Sequence, residues 1–89
     1  MTQYIAQYQL VKKLGAGVFG EVFLARGVFR NQERNVAIKR LHIDADQESK
    51  NLLALEYHLL QQIRHRCIVR VFEYLPNEHA VVMEYIQGG

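Results

Sequence analysis

Three parts of this chain have residue types and spacings that could do chemistry: the stretch Gly15-Ala16-Gly17-Val18-Phe19-Gly20-Glu21-Val22, Lys39 in an apolar run, and Glu56 among leucines. Glycine at three of six positions lets the backbone turn tightly and bare its N–H groups to a bound anion, for which a nucleotide phosphate is the natural guest. The spacing G-x-G-x-x-G serves two unrelated nucleotide-binding arrangements. In a dinucleotide-binding βαβ unit a helix begins after the third glycine, and an acidic strand-end residue follows about 20 positions on. Here the chain continues Glu21-Val22-Phe23-Leu24-Ala25-Arg26, rich in strand formers, and a later strand carries a lysine instead. The motif therefore reads as the tip of a β-hairpin folded over a ligand.

Lys39 and Glu56 are charges in apolar settings. In Val36-Ala37-Ile38-Lys39, alternation puts Ala37 and Lys39 on one face of a strand and Val36 and Ile38 on the other. A lysine there can simply extend its ammonium to water. Around Glu56, Leu52, Leu59, Leu60 and Ile63 stand at i−4, i+3, i+4 and i+7, which makes one helical face with Glu56 at its middle. A carboxylate inside such a stripe loses hydration unless it is paired, and Lys39 is the economical partner. The other placement, at the stripe's edge facing water, is equally consistent with the periodicity.

The elements that must position these groups follow in order. Residues 8–14 and 21–26 read as two strands flanking the glycine turn, 27–35 as a hairpin loop by its turn formers and charge, and 36–41 as a third strand. Asp44 and Asp46 are candidate N-caps for a helix over 47–64, a stretch free of glycine and proline, with Glu48 suited to the positive end of its dipole. Residues 68–75 read as a fourth strand, Pro76-Asn77-Glu78-His79 as a turn, and 80–84 as a fifth strand. The expected class is α+β, a five-stranded antiparallel sheet with one main helix between strands 3 and 4.

Bulk properties set the limits. Eighty-nine residues, 49% hydrophobic and 22% charged, make one small domain or a piece of a larger one. A net charge of +2 gives no argument for nucleic acid or an anionic membrane, and Lys12-Lys13 and Arg64-His65-Arg66 read as solvated clusters. The single cysteine, Cys67, excludes an intrachain disulfide framework, and the four histidines lack metal-ligand spacing. Without a signal-peptide pattern or an apolar run of about 20 residues, a cytoplasmic location is expected, with no membrane segment.

Taken together, these residues resemble the N-terminal lobe of a eukaryotic-like protein kinase. The glycine stretch matches the family's G-x-G-x-x-G-x-V, and Val36-Ala37-Ile38-Lys39 its V-A-I-K. Glu56 falls where the glutamate of helix αC belongs. His65-Arg66-Cys67-Ile68-Val69-Arg70 looks like H-P-N-I-V-R with Arg and Cys for Pro and Asn, and Val82-Met83-Glu84-Tyr85-Ile86-Gln87-Gly88-Gly89 like the fifth strand and hinge. The likeness covers 8–89, which implies a partial kinase domain there, with 1–7 as an N-terminal extension. It implies that Gly15, Ala16, Gly17, Val18, Phe19 and Gly20 cover the phosphates of ATP, with Phe19 shielding the γ-phosphate, and that Lys39, oriented by Glu56, binds the α- and β-phosphates. Leu14, Val22 and Ala37 would roof the adenine, Met83 would be the gatekeeper, and the backbone of Glu84 and Ile86 would meet the adenine edge. Leu60 and Val71 would be spine residues. For each of these apolar residues, ordinary core packing explains the residue type equally well.

The same resemblance implies a serine/threonine-directed kinase acting on a protein substrate held by a second lobe. No H-R-D or D-F-G string occurs in the chain, so the Mg²⁺ ligands and the catalytic aspartate are expected elsewhere, and these residues alone are expected to be inactive. The alternative is a pseudokinase or regulatory lobe acting as a binding module.

Overall fold

The computed structural model describes residues 2–63 and 69–86. Strands β1 (Tyr4–Ile5), β2 (Tyr8–Ala16), β3 (Gly20–Phe29), β4 (Gln32–Leu41), β5 (Val71–Leu75) and β6 (Ala80–Glu84) form one antiparallel sheet in the order β1-β2-β3-β4-β6-β5. Helix α1 (Gln47–Gln62) lies between β4 and β5 in the chain. The α+β class stands, but the sheet has six strands where five were expected. The extra one, β1, has two residues, too few to show alternation in a sequence. It is nonetheless anchored, because Ile5 is fully buried.

Strands β3 and β4 are longer than their composition suggests. The 27–35 segment, expected as a loop, is almost all strand, and only Arg30 and Asn31 turn the chain, both with left-handed φ (53° and 65°). Such a two-residue turn twists with the strands it joins and so lets pairing run to its base. Arg26 ties the hairpin across, donating to Glu33 and Asn35 at 2.9 Å each, and Phe29 stacks on Phe72 of β5 with 5.1 Å between ring centres.

Alternation along β4 divides the interior in two. Val36 and Ile38 join Ile5, Tyr8, Phe23, Ala25, Ala80 and Val82 in one buried cluster, so the sheet curls about this face. On the other face Leu41 and Val81 meet Leu53 of α1. Full burial of a valine or isoleucine contributes about 1.5–3 kcal/mol, which makes these faces the main source of stability.

Helix α1 starts at Asp46, whose Oδ1 accepts from the Ser49 N–H at 2.8 Å, with Glu48 in the first turn. Of the two candidate caps, Asp46 serves. The helix ends at Gln62 rather than continuing to 64. The phase of its buried face also differs from the expected one. Leu53 is buried and Tyr57 and Leu60 are half-buried, whereas Leu52, Leu59 and Ile63 are exposed. Tyr57 packs against Tyr74 of β5, 5.6 Å between ring centres, and this pairing fixes the rotation. The basic cluster and Cys67, which lie in the 64–68 stretch with its H-P-N-I-V-R likeness, fall outside the described residues, as does the glycine end of the hinge.

Candidate functional site

The glycine-rich stretch joins β2 to β3. Gly15 pairs with Val22 and Ala16 with Glu21, and the Gly17 N–H donates to the Gly20 carbonyl at 2.9 Å to close the turn. None of the three glycines has a left-handed φ, so at Gly17 and Gly20 the value of glycine is closeness of approach rather than unusual backbone. Gly20 is pressed onto β4: a methyl group there would meet the Arg40 carbonyl and lie 2.8 Å from Leu41 Cα. Gly15, in contrast, faces open space. Val18 is fully exposed at the tip, while Phe19 turns back with its ring centre 5.0 Å from Lys39 Nζ.

Lys39 sits on β4 beneath this loop, opposite Val22 on one side and Val81 on the other. Its Nζ lies 3.4 Å from Glu56 Oε2 of α1. Leu53 and Leu60, at i−3 and i+4 from Glu56, hold the helix against the sheet and so aim the carboxylate at the strand. Both placements open to Glu56 are partly realised: it meets Lys39, yet it remains half-exposed (48%), with Lys39 less so (26%). Among the described residues no charged residue is fully buried. A pair in this setting contributes about 0–1 kcal/mol to stability, so its value lies in fixing the ammonium.

The apolar walls surround the lysine. Ala37 is buried and paired with half-buried Met83 and with Leu24, and Val22 is half-buried on the same face. Leu14, beside an irregularity in the β2–β3 register, is exposed (42%). Leu60, Val71 and Met83 border a narrow gap behind Lys39. At the end of β6 the Glu84 N–H donates to the Arg70 carbonyl at 2.8 Å, and Ile86 is exposed. On the loop's outer flank, Glu21 is held below the usual carboxylate range by Lys13 at 2.6 Å, then by Arg40 at 3.4 Å.

A glycine hairpin thus lies over a lysine that a helix glutamate meets at 3.4 Å. The profile of the protein tyrosine and serine/threonine kinase family matches residues 8–89. The chain belongs to the protein kinase family. Serine/threonine-protein kinase CLA4 of Candida albicans is 38% identical over 85 residues, which cover 92% of this chain and 8% of that protein. CBL-interacting serine/threonine-protein kinase 12 of Arabidopsis thaliana is 37% identical over 91 residues, 96% of this chain and 18% of that one. Fer-related kinase 1 of Caenorhabditis elegans is 32% identical over 80 residues, 88% of this chain and 20% of its own. This kinase chain therefore spans a fifth or less of the length of these relatives.

Among the described residues no three His, Cys, Asp or Glu side chains come together as a metal site. No described helix is long and apolar enough to cross a membrane. Sequence reasoning missed His42, just past β4, whose Nε2 lies 2.8 Å from the Gly17 carbonyl. Nothing in the spacing of the two residues, far apart in the chain, signals that contact.

Proposed function

We propose that this kinase lobe binds ATP beneath the glycine-rich loop and works with catalytic groups outside these residues to phosphorylate serine and threonine hydroxyls of proteins. The observation that carries the reading is the Lys39–Glu56 pair, 3.4 Å apart under the loop of three glycines. The serine/threonine preference rests on the names of two relatives, those of Candida albicans and Arabidopsis thaliana.

The residues present fit a nucleotide. Lys39 offers a cation with one carboxylate partner, a side chain at Gly15 would meet nothing, and Val22, Ala37 and Met83 supply an apolar wall. ATP supplies the transferable γ-phosphoryl group. Lys39 would hold the α- and β-phosphates, and Glu56 would keep the ammonium from swinging into water. Backbone N–H groups of Gly15, Ala16, Gly17, Val18, Phe19 and Gly20 would cover the phosphates and exclude water. Leu14, Val22 and Ala37 would enclose the base, with Met83 at the back and the backbone of Glu84 and Ile86 at its edge.

Mg²⁺ finds no such fit, since the described residues gather no carboxylate set. A group to orient the attacking hydroxyl is likewise absent from the sequence strings of this chain. The 89 residues alone should therefore bind ATP weakly or not at all and transfer no phosphate. A radiolabelled-ATP assay on the purified chain tests this, and phosphotransfer above background would overturn the need for a second lobe.

A further inference from the structure

His42 makes two ties to the glycine-rich loop. Its ring Nε2 lies 2.8 Å from the Gly17 carbonyl, and its backbone N–H donates to the Phe19 carbonyl at 3.3 Å. A carbonyl only accepts, so Nε2 carries the proton in this contact. Position 42 follows directly on Leu41, which pairs with Gly20, so both ties reach the loop from the end of the strand that bears Lys39. Within the loop, Phe19 folds back until a methyl group on Gly17 would lie 3.1 Å from its Cε1. The same ring stands 5.0 Å from Lys39 Nζ, on the ammonium that the phosphates need.

We propose that His42 is a positioning residue that latches the glycine-rich loop shut over Lys39 in the nucleotide-free protein, with Phe19 as the plug. The proposal deepens the ATP-site reading and rests on it. An anion approaching Lys39 from the side that Phe19 covers meets its ring, and lifting the loop backbone to carry that ring away stretches both ties to His42. The closed loop therefore competes with nucleotide, and the apparent affinity is reduced by the fraction of molecules that are closed. An exposed hydrogen bond of ordinary strength sets that competition at roughly 2- to 10-fold.

The test uses the full 89-residue chain with His42→Leu, which removes the ring donor, and His42→Gln, which retains an N–H donor. In nucleotide-free protein, amide exchange at Gly17 and at position 42 should quicken by roughly 2- to 10-fold in His42→Leu, while His42→Gln should stay near wild type. Amides of β6 should not change in either, which separates loop release from general loosening. Unaltered exchange in His42→Leu, or equal loosening in both variants, overturns the latch. Titration with ATP, followed by amide shifts of Val22 and Ala37, should show roughly 2- to 10-fold tighter binding to His42→Leu. Equal or weaker binding overturns the claim that the latch opposes nucleotide. If no form of the chain binds ATP, the claim that the latch opposes nucleotide falls, while the exchange result still decides the His42 tie.

Discussion

Tyr8 and Glu73 stand on β2 and β5, far apart in the order of the sheet, yet the tyrosine hydroxyl donates to Glu73 Oε2 at 2.8 Å. The sheet closes on itself through this bond, with Gln7 Nε2 adding a longer one to the same oxygen at 3.4 Å. Burial, then the hydrogen bond and the negative charge of Glu73, raise the Tyr8 hydroxyl's pKa far above its ordinary 10.0. A phenol with a raised folded pKa lends stability that is complete below its unfolded value and is lost as pH climbs past it.

Tyr8→Phe should accordingly lower stability at pH 7 by about 0.5–1.5 kcal/mol. The variant should also lose part of the wild-type decline in stability above pH 10.0. Urea unfolding from pH 7 to 11 measures both, and a variant as stable as wild type would show that the bond does not close the sheet.

On the acid side, Asp46 holds the start of α1. The Ser49 N–H keeps its carboxyl below the ordinary 3.8, and the group is solvent-exposed. A depressed carboxyl contributes stability above its unfolded value, lost as pH falls through the folded one. Asp46→Ala should reduce stability at neutral pH, whereas Asp46→Asn should cap nearly as well and remove this residue's share of the acid sensitivity. Thermal unfolding monitored by circular dichroism between pH 2 and 7 reads both.

The glycines should separate by role. Gly20→Ala forces a methyl group onto β4 and should cost about 1–3 kcal/mol. Gly15→Ala adds a methyl group in open space and should change stability by less than about 0.5 kcal/mol. Equal costs in denaturant titrations would refute the close packing assigned to Gly20.

The helix phase gives a second contrast. Leu53→Ala, at a buried position, should cost about 2–5 kcal/mol. Leu59→Ala, at a position 54% exposed, should cost less than about 0.5 kcal/mol. Reversed values would restore the leucine face that the heptad-like spacing first points to.

That reversal marks where the sequence was legible and where it was not. Strand alternation put Ala37 and Lys39 on one face because it depends on local periodicity, whereas helical spacing left Glu56 open between Lys39 and water, and the 3.4 Å contact that joins them is tertiary. The helix carries two overlapping apolar stripes, one through Leu52 and Leu59 and one through Leu53 and Leu60. Only packing against Tyr74 chooses between them, and that is a tertiary contact. The Arg30-Asn31 turn lacks glycine and so hid the true length of β3 and β4. His42 on Gly17 and Phe19 on Lys39 are through-space contacts with no sequence pattern at all.

The central claim is that Lys39 holds ATP phosphates for transfer. Its most direct test is phosphotransfer from radiolabelled ATP by the full-length kinase carrying these residues, with Lys39→Met beside wild type and circular dichroism confirming the fold. The account predicts a loss of roughly 100-fold or more with the fold intact, the scale for removing a charge that stabilises a transition state. Unchanged phosphotransfer in a folded Lys39→Met variant would contradict it.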